Sequence, residues 1–296
     1  MTSMRRKIIQ ELARQKLIEY DCMSLPISPK DFAQTKLDIT VHSFDPPVPS
    51  VSGFLMQKGN NFGIGYSKAI KSKGFQNFTV AHELGHYFID GHVMALLDNG
   101  IHKSCSGYIS KNIYEQEADA FATEFLMPWK LISPLIQHQT PGFSVIKSIS
   151  KECESSLLAA AIRYTAVAKD CVAVVVSHEG VIEFMTASDS FRRIPSVADN
   201  WLRRDSILPQ QVPSAKLGFN YSWITQCEVI EEGCQLCDWF SGAPTLDVEE
   251  DIIGLGSYGR LLTVLIAHWD EEDMDEDDES GDSYIDRWQD GYFRKR

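Results

Sequence analysis

The sequence predicts an α+β protein, and two patterns within its 296 residues predict it. Two segments, Phe78 to His92 and Tyr114 to Pro128, repeat apolar residues at helical spacing. From Cys171 onward the chain turns to runs of β-branched residues broken by a tight His178-Glu-Gly180 turn, the mark of an antiparallel hairpin. The length suits two packed domains. The expected division is an N-terminal domain over residues 1–132 with a small sheet, a helical segment over 133–168, an α+β domain over 169–269 and a disordered acidic tail over 270–296.

Residues 1–21 read as an amphipathic helix with Ile8, Ile9, Leu12 and Leu17 turned inward. They lack the apolar core and small-residue cleavage site of a signal peptide, and Glu11 and Glu19 interrupt them. A second, short helix starts at Ser28, which caps Pro29 at the first helical position with Asp31 near the return point. Leu37, Ile39 and Val41 alternate as a strand does until the prolines of residues 45–50 break it. Gly53 to Met56 and Phe62 to Tyr66 then flank Lys58-Gly-Asn-Asn61, a hairpin signal. An edge strand there can grip an extended peptide through its main chain.

The next helix carries the chemistry. His82 and His86, four residues apart, place two imidazoles one turn apart on one side, and Glu83 projects beside them. At about 100° per residue, Val80, Leu84, Tyr87 and Phe88 fall on the opposite side, so the motif is expected to face a cleft rather than the core. This is the pattern of a zinc hydrolase, in which two histidines bind the metal and the glutamate serves as general base. Catalytic zinc takes three protein ligands, and the helix from Tyr114 to Pro128 supplies the third. Glu115 and Asp119 stand one turn apart there, a carboxylate ligand and a carboxylate able to orient a ligating imidazole. Glu117 competes with Glu115. The apolar stripe of Ala118, Phe121, Ala122 and Phe125 centres about 60° from Glu115 and about 100° from Glu117, which favours Glu115.

The runs FTVAHELGHYF and EQEADAFATEFLMP resemble the ImmA/IrrE family of metallo-endopeptidases, whose pattern Glu-x-x-Ala-(Asn/Asp)-x-Phe-Ala ends in Leu-Met-Pro. The resemblance is close to about residue 130 and weaker beyond. It implies a zincin-like catalytic domain, with His82, His86 and Glu115 as metal ligands, Glu83 as the base and Asp119 at the position where the family has Asn or Asp. It implies one zinc ion per chain, with manganese left open as the metal, and a helix-turn-helix repressor as substrate, whose cleavage derepresses stress or mobile-element genes. The alternative is a zinc-stabilised regulatory or DNA-binding module without proteolysis. In the loop between the two helices, His92, His102, Cys105 and Tyr108 are all candidate oxyanion donors, and the spacing selects none.

Residues 141–164 read as two helices around a turn near Cys153 to Ser156, with Ser155 or Ser156 as cap, and resemble the family's helix-turn-helix-like segment. The second helix has one basic residue, Arg163, too few for phosphate contacts, so direct nucleic-acid binding is not expected. Beyond it, Cys171 to Ser177, Val181 to Met185, Cys227 to Ile230 and Leu261 to Trp269 are expected strands of a mainly antiparallel, GAF-like domain. Cys227, Cys234 and Cys237 lack the second ligand pair of a structural zinc site and are expected as buried free thiols.

Seven cysteines in a long chain point to a reducing compartment, and no apolar run is long enough for a membrane helix, so the protein is expected in the cytoplasm. The net charge of −13 resides mostly in residues 270–282, which hold ten acids and no base. Such a block repels itself and buries nothing, so it is expected to be a solvated tail.

Overall fold

The computed structural model describes residues 1–45, 51–97, 100–105, 112–218, 220–226, 228–256 and 259–269. The expected acidic tail, Tyr108 and Cys227 lie outside the described residues. The chain is mixed α and β, with two sheets. Its described residues form two compact units: Met1–Pro134 with Ile149–Ala159, and Leu135–Ser148 with the described residues from Ala160 to Trp269. Among the described residues no helix is long and apolar enough to cross a membrane.

The first unit begins with α1 (Ser3–Glu19) and α2 (Pro29–Lys36), continues through β1 (Thr40–Phe44), β2 (Val51–Lys58), β3 (Asn61–Ser67), α3 (Lys73–Phe88), α4 (His92–Leu96), β4 (Ile101–Cys105) and α5 (Ile113–Leu126), and reaches into α6 (Trp129–Gln137). The starts of three helices are chemically marked: the side chains of Thr2, Ser28 and Ser72 accept the amides of Arg5, Asp31 and Phe75. In α1, Ile9, Ala13 and Leu17 are buried, whereas Ile8, expected inward, is half exposed because the inward stripe runs through Ala13. The sheet order is β1-β3-β2-β4, with β1 parallel to β3 and the other pairs antiparallel. The predicted hairpin is β2–β3, closed between Lys58 and Asn61. β4 and α4 occupy what the sequence presents as a loop.

Helix α3 packs on β2 and β3 with one flank and on α5 with another, and α5 packs in turn on α1. Aromatic side chains weld these helices: Phe32 of α2 meets Phe125 of α5 edge-on at 5.0 Å, and Phe88 of α3 stacks on Phe121 at 5.8 Å. Such pairs add about 0.5–1.5 kcal/mol each beyond their buried area.

The turn between α7 (Phe143–Glu152) and α8 (Leu157–Val167) is held within the first unit. Lys73 pairs with Glu154 at 2.8 Å, Asn77 donates to the Glu154 carbonyl at 3.3 Å, and the backbone of Ser155 and Ser156 lies flush against Gly74. Ser156 caps α8 through the Ala159 amide. Arg163, the one basic residue of α8, is buried, so the helix offers no cation to a phosphate backbone.

In the second unit, β5 (Cys171–His178), β6 (Val181–Ala187), α9 (Asp189–Arg193), α10 (Pro213–Leu217), α11 (Tyr221–Gln226), β7 (Val229–Gln235), α12 (Leu236–Trp239), β8 (Asp247–Gly254) and β9 (Arg260–Ala267) build a wholly antiparallel sheet of order β6-β5-β9-β8-β7. The central strands β5 and β9 are buried along nearly their whole length, as their unbroken apolar runs require. β8 is hidden in the sequence by Glu249, Glu250 and Asp251. Glu250 is fully buried yet satisfied: Ser214 donates its amide and hydroxyl, Trp239 its indole N–H at 2.7 Å, and Cys234 its thiol at 3.1 Å. Cys234 and Cys237 are free thiols, as expected, though partly exposed rather than buried.

Candidate metal centre

Two helices deliver three donors to one point. His82 and His86 come from successive turns of α3, and Glu115 from the first turn of α5. The His82 and His86 Nε2 atoms are 3.0 Å apart, Glu115 Oε2 is 3.2 Å from the first and Glu115 Oε1 3.4 Å from the second. Zinc–nitrogen and zinc–oxygen bonds of about 2.0–2.2 Å in a tetrahedron separate neighbouring donors by roughly 3.3–3.5 Å. The donor set therefore fits a tetrahedral cation with little adjustment, and its two imidazoles and one carboxylate are a common zinc set.

Glycines make the convergence sterically feasible. A Cβ on Gly85, between the two histidines, would stand 3.1 Å from Ala118 Cα and 3.2 Å from Phe121 Cβ, so the bare α-carbon lets α5 lie directly on α3. On the other flank, a Cβ on Gly53 of β2 would collide with the Thr79 methyl and come within 2.9 Å of Glu83 Oε1.

The candidate donor atoms are oriented by hydrogen bonds. Asp119, one turn after Glu115, lies with Oδ1 2.8 Å from His82 Nδ1, which directs the lone pair of Nε2 to the donor cluster. His102, on β4, donates Nε2–H to Glu115 Oε1 at 3.0 Å and sets its ring edge-on to His86. His92, on α4, meets His86 Nδ1 through its own Nδ1 at 3.0 Å and reaches Glu117 Oε2 through Nε2 at 3.1 Å. Glu117 thus points away from Glu115's cluster, toward His92 and Arg5.

Burial and charge set the protonation pattern. Burial by itself lowers the pKa of His82, but hydrogen bonds to Asp119 and Glu115 outweigh it and push it up to about 10. His86 falls to about 3, mainly through burial, with the His82 charge adding to it against Glu115. Burial opposes ionisation of Glu115, yet the three surrounding imidazoles hold it well below the usual carboxylate range. The cluster as it stands carries one positive charge opposite an anionic carboxylate, which a divalent cation replaces with release of a proton.

Glu83 differs from every other carboxylate here. It is fully buried and neither oxygen makes a hydrogen bond, although the Ser104 hydroxyl lies close enough to draw its pKa down. Burial dominates and raises it to about 7. The sequence expectation that His82, Glu83 and His86 face an open cleft is corrected by this burial: from Thr79 to His86 every residue of α3 is enclosed. Apolar striping could not show it, because α5 and β4 cover the polar side of the helix with polar groups of their own.

The sequence profile of the IrrE N-terminal-like domain matches residues 34–165, a span that contains all of these donors. The match supports the resemblance of this part of the chain to the ImmA/IrrE metallopeptidases. No curated protein matches the chain. Among solved structures, a Mycobacterium tuberculosis transcriptional regulator aligns with a TM-score of 0.54 over 88% of this chain and 76% of its own, at 12% identity, a likeness of fold alone. Of the four loop candidates for an ImmA/IrrE-type oxyanion donor, His92 and His102 are engaged with His86, Glu117 and Glu115, Tyr108 lies outside the described residues, and the side chain of Cys105 is likewise not described. Arg5 could not be singled out from the sequence, where it is one cation among several in the first helix.

Proposed function

We propose that this chain is a zinc-dependent endopeptidase that acts in the cytoplasm on a helix-turn-helix repressor. The observation that carries the chemistry is Glu83: a buried carboxylate without a hydrogen bond, beside a cluster of three metal donors, is costly unless it is used. His82, His86 and Glu115 would hold a zinc ion, which would supply Lewis acidity to the scissile carbonyl and to a water. Glu83, with its pKa near 7, takes the proton that the attacking water gives up and passes it to the departing amide nitrogen. Asp119 keeps His82 in the tautomer that ligates, and His102 restrains Glu115. A zinc-stabilised regulator without proteolysis has no use for such a base.

The same reading assigns residues 1–132 to catalysis, 133–168 to a helical segment packed for support and 169–269 to a GAF-like regulatory domain. The wholly antiparallel sheet of the second unit supports the last of these. The family match supports a repressor as substrate, since the ImmA/IrrE resemblance implies one.

The test uses the full chain with about one equivalent of zinc, incubated with the repressor encoded beside its gene and, separately, with casein. Cleavage of the repressor at one position, stopped by a chelator and restored by zinc, is the expected result. Digestion of casein with the repressor left intact would refute the selective-regulator reading and spare the zinc chemistry. Cleavage indifferent to the chelator would refute the zinc chemistry.

A further inference from the structure

We propose that His92 and Glu117, anchored by Arg5, form a relay that fixes His86 in the tautomer whose Nε2 is free to bind a cation. The inference rests on the metal reading above and concerns how one ligand of that site is prepared.

Glu117 receives Arg5 in a two-pronged contact, Nε to Oε1 at 2.9 Å and a terminal nitrogen to Oε2 at 2.7 Å, so it is an anion and can only accept. His92 Nε2, 3.1 Å from Glu117 Oε2, must therefore carry the hydrogen. A neutral imidazole has one N–H, which leaves His92 Nδ1 as an acceptor. The atom facing it at 3.0 Å, His86 Nδ1, must then be the donor. With its hydrogen on Nδ1, His86 presents a lone pair on Nε2, the atom 3.0 Å from His82 Nε2 and 3.4 Å from Glu115 Oε1.

The relay is built to hold this order. His92 is 1% exposed and the Glu117 side chain 7%, so water competes little for either. Tyr114 packs edge-on against the His92 ring at 5.0 Å. The two ligating imidazoles are thus oriented by different means: His82 by the neighbouring Asp119 directly, and His86 through a second imidazole and a carboxylate to a cation on α1. Docking of α1 on α5 becomes part of the metal site. His92, Glu117 and Arg5 are positioning residues in this scheme, since none touches the cation.

The test reads zinc affinity by competition with a chromophoric chelator, the visible spectrum of the cobalt-loaded protein, and the ring 15N shifts of His86 in the metal-free protein. In the wild type the His86 proton should sit on Nδ1. His92→Leu, which removes the acceptor, should weaken zinc binding roughly 10–100-fold and alter the cobalt spectrum. His92→Asn, whose side-chain carbonyl can take the place of Nδ1, should recover most of that loss. Arg5→Met, at the partly exposed far end of the relay, should weaken binding several-fold, with circular dichroism as the control for folding. A His86 proton on Nε2, or wild-type affinity in both His92→Leu and Arg5→Met, would overturn the relay while leaving the zinc site standing. A wild-type chain that binds no zinc would overturn the metal reading itself, and the relay with it.

Discussion

Gly85 and Ala118 bring α3 and α5 into backbone contact, and that contact sets the distance between the two histidines and Glu115. The α-carbon of Ala118 would lie 3.1 Å and its carbonyl oxygen 3.2 Å from any β-carbon at position 85, and neither can rotate aside. Alanine at 85 gains about 1 kcal/mol of helix propensity, which partly offsets the crowding. Gly85→Val should therefore be the decisive variant: overpacking costs about 1–3 kcal/mol, and separation of the helices should reduce zinc affinity by more than about tenfold. Thermal melting of the metal-free protein and chelator competition measure the two effects. Wild-type zinc affinity in Gly85→Val would show that helix spacing does not set the site.

Glu83→Gln should keep zinc and lose cleavage by at least about 10²-fold, because the donors are untouched and proton transfer is removed. The same variant makes a separate prediction for the metal-free protein. The folded pKa of Glu83 is raised from its ordinary 4.5 to about 7, so its contribution to stability is intact below the unfolded pKa and is lost as pH rises through the folded one. Between about pH 5 and 8 the wild type should thus lose melting temperature relative to Glu83→Gln. A difference that stays flat across this range would mean that Glu83 is not strained by burial.

The helix, its two histidines and the partner helix were all legible in the sequence, since local motif and 3.6-residue periodicity carry them. What the sequence hid were the groups that surround them. Ile101 to Cys105 shows no strand alternation of its own and becomes β4 only by pairing with β2. β8 carries three acids in succession and reads as a loop until Ser214, Trp239 and Cys234 are seen to satisfy Glu250. Arg5 reaches Glu117 across 112 residues, a contact that no local pattern encodes. The helical wheel separated Glu115 from Glu117 by phase alone, whereas the structure separates them by partners.

Ligand and support should differ in degree. Glu115→Ala removes a donor and should weaken zinc binding more than Asp119→Ala, which leaves three donors but frees the His82 ring and should cost roughly 10–100-fold. Chelator competition on both variants, with far-ultraviolet circular dichroism as a control for folding, gives the ranking. If Asp119→Ala binds zinc as well as the wild type, its 2.8 Å contact with His82 has no orienting role.

In the second unit, Glu250 predicts a stability effect with no metal involved. Glu250→Ala would leave the Trp239 indole N–H and the Ser214 amide without their acceptor inside the sheet, a loss of about 3–5 kcal/mol. Glu250→Gln keeps one carbonyl oxygen and turns an N–H₂ toward the remaining donors, so about 1–3 kcal/mol is expected. Urea denaturation followed by tryptophan fluorescence should rank wild type, Gln and Ala in that order. Equal midpoints for all three would show that the buried carboxylate is not holding β8, α10 and α12 together.

The position of β4 makes a prediction about the substrate. β4 is the last strand of its sheet, paired with β2 on one side, and among the described residues no strand covers its other edge. It also carries His102, which touches Glu115, so a peptide paired with β4 would lie beside the strand that reaches the donor cluster. Main-chain pairing to a strand uses alternate amides of the bound peptide, because successive residues point to opposite sides. Methylating the peptide nitrogens one at a time around the cleavage site should therefore lower kcat/KM about tenfold or more at every second position and much less at those between. Such a grip discriminates weakly among side chains, so the selectivity proposed for one repressor would rest on surfaces away from β4. A peptide series in which every methylation is equally harmful, or none is, would exclude β4 as the substrate's partner strand.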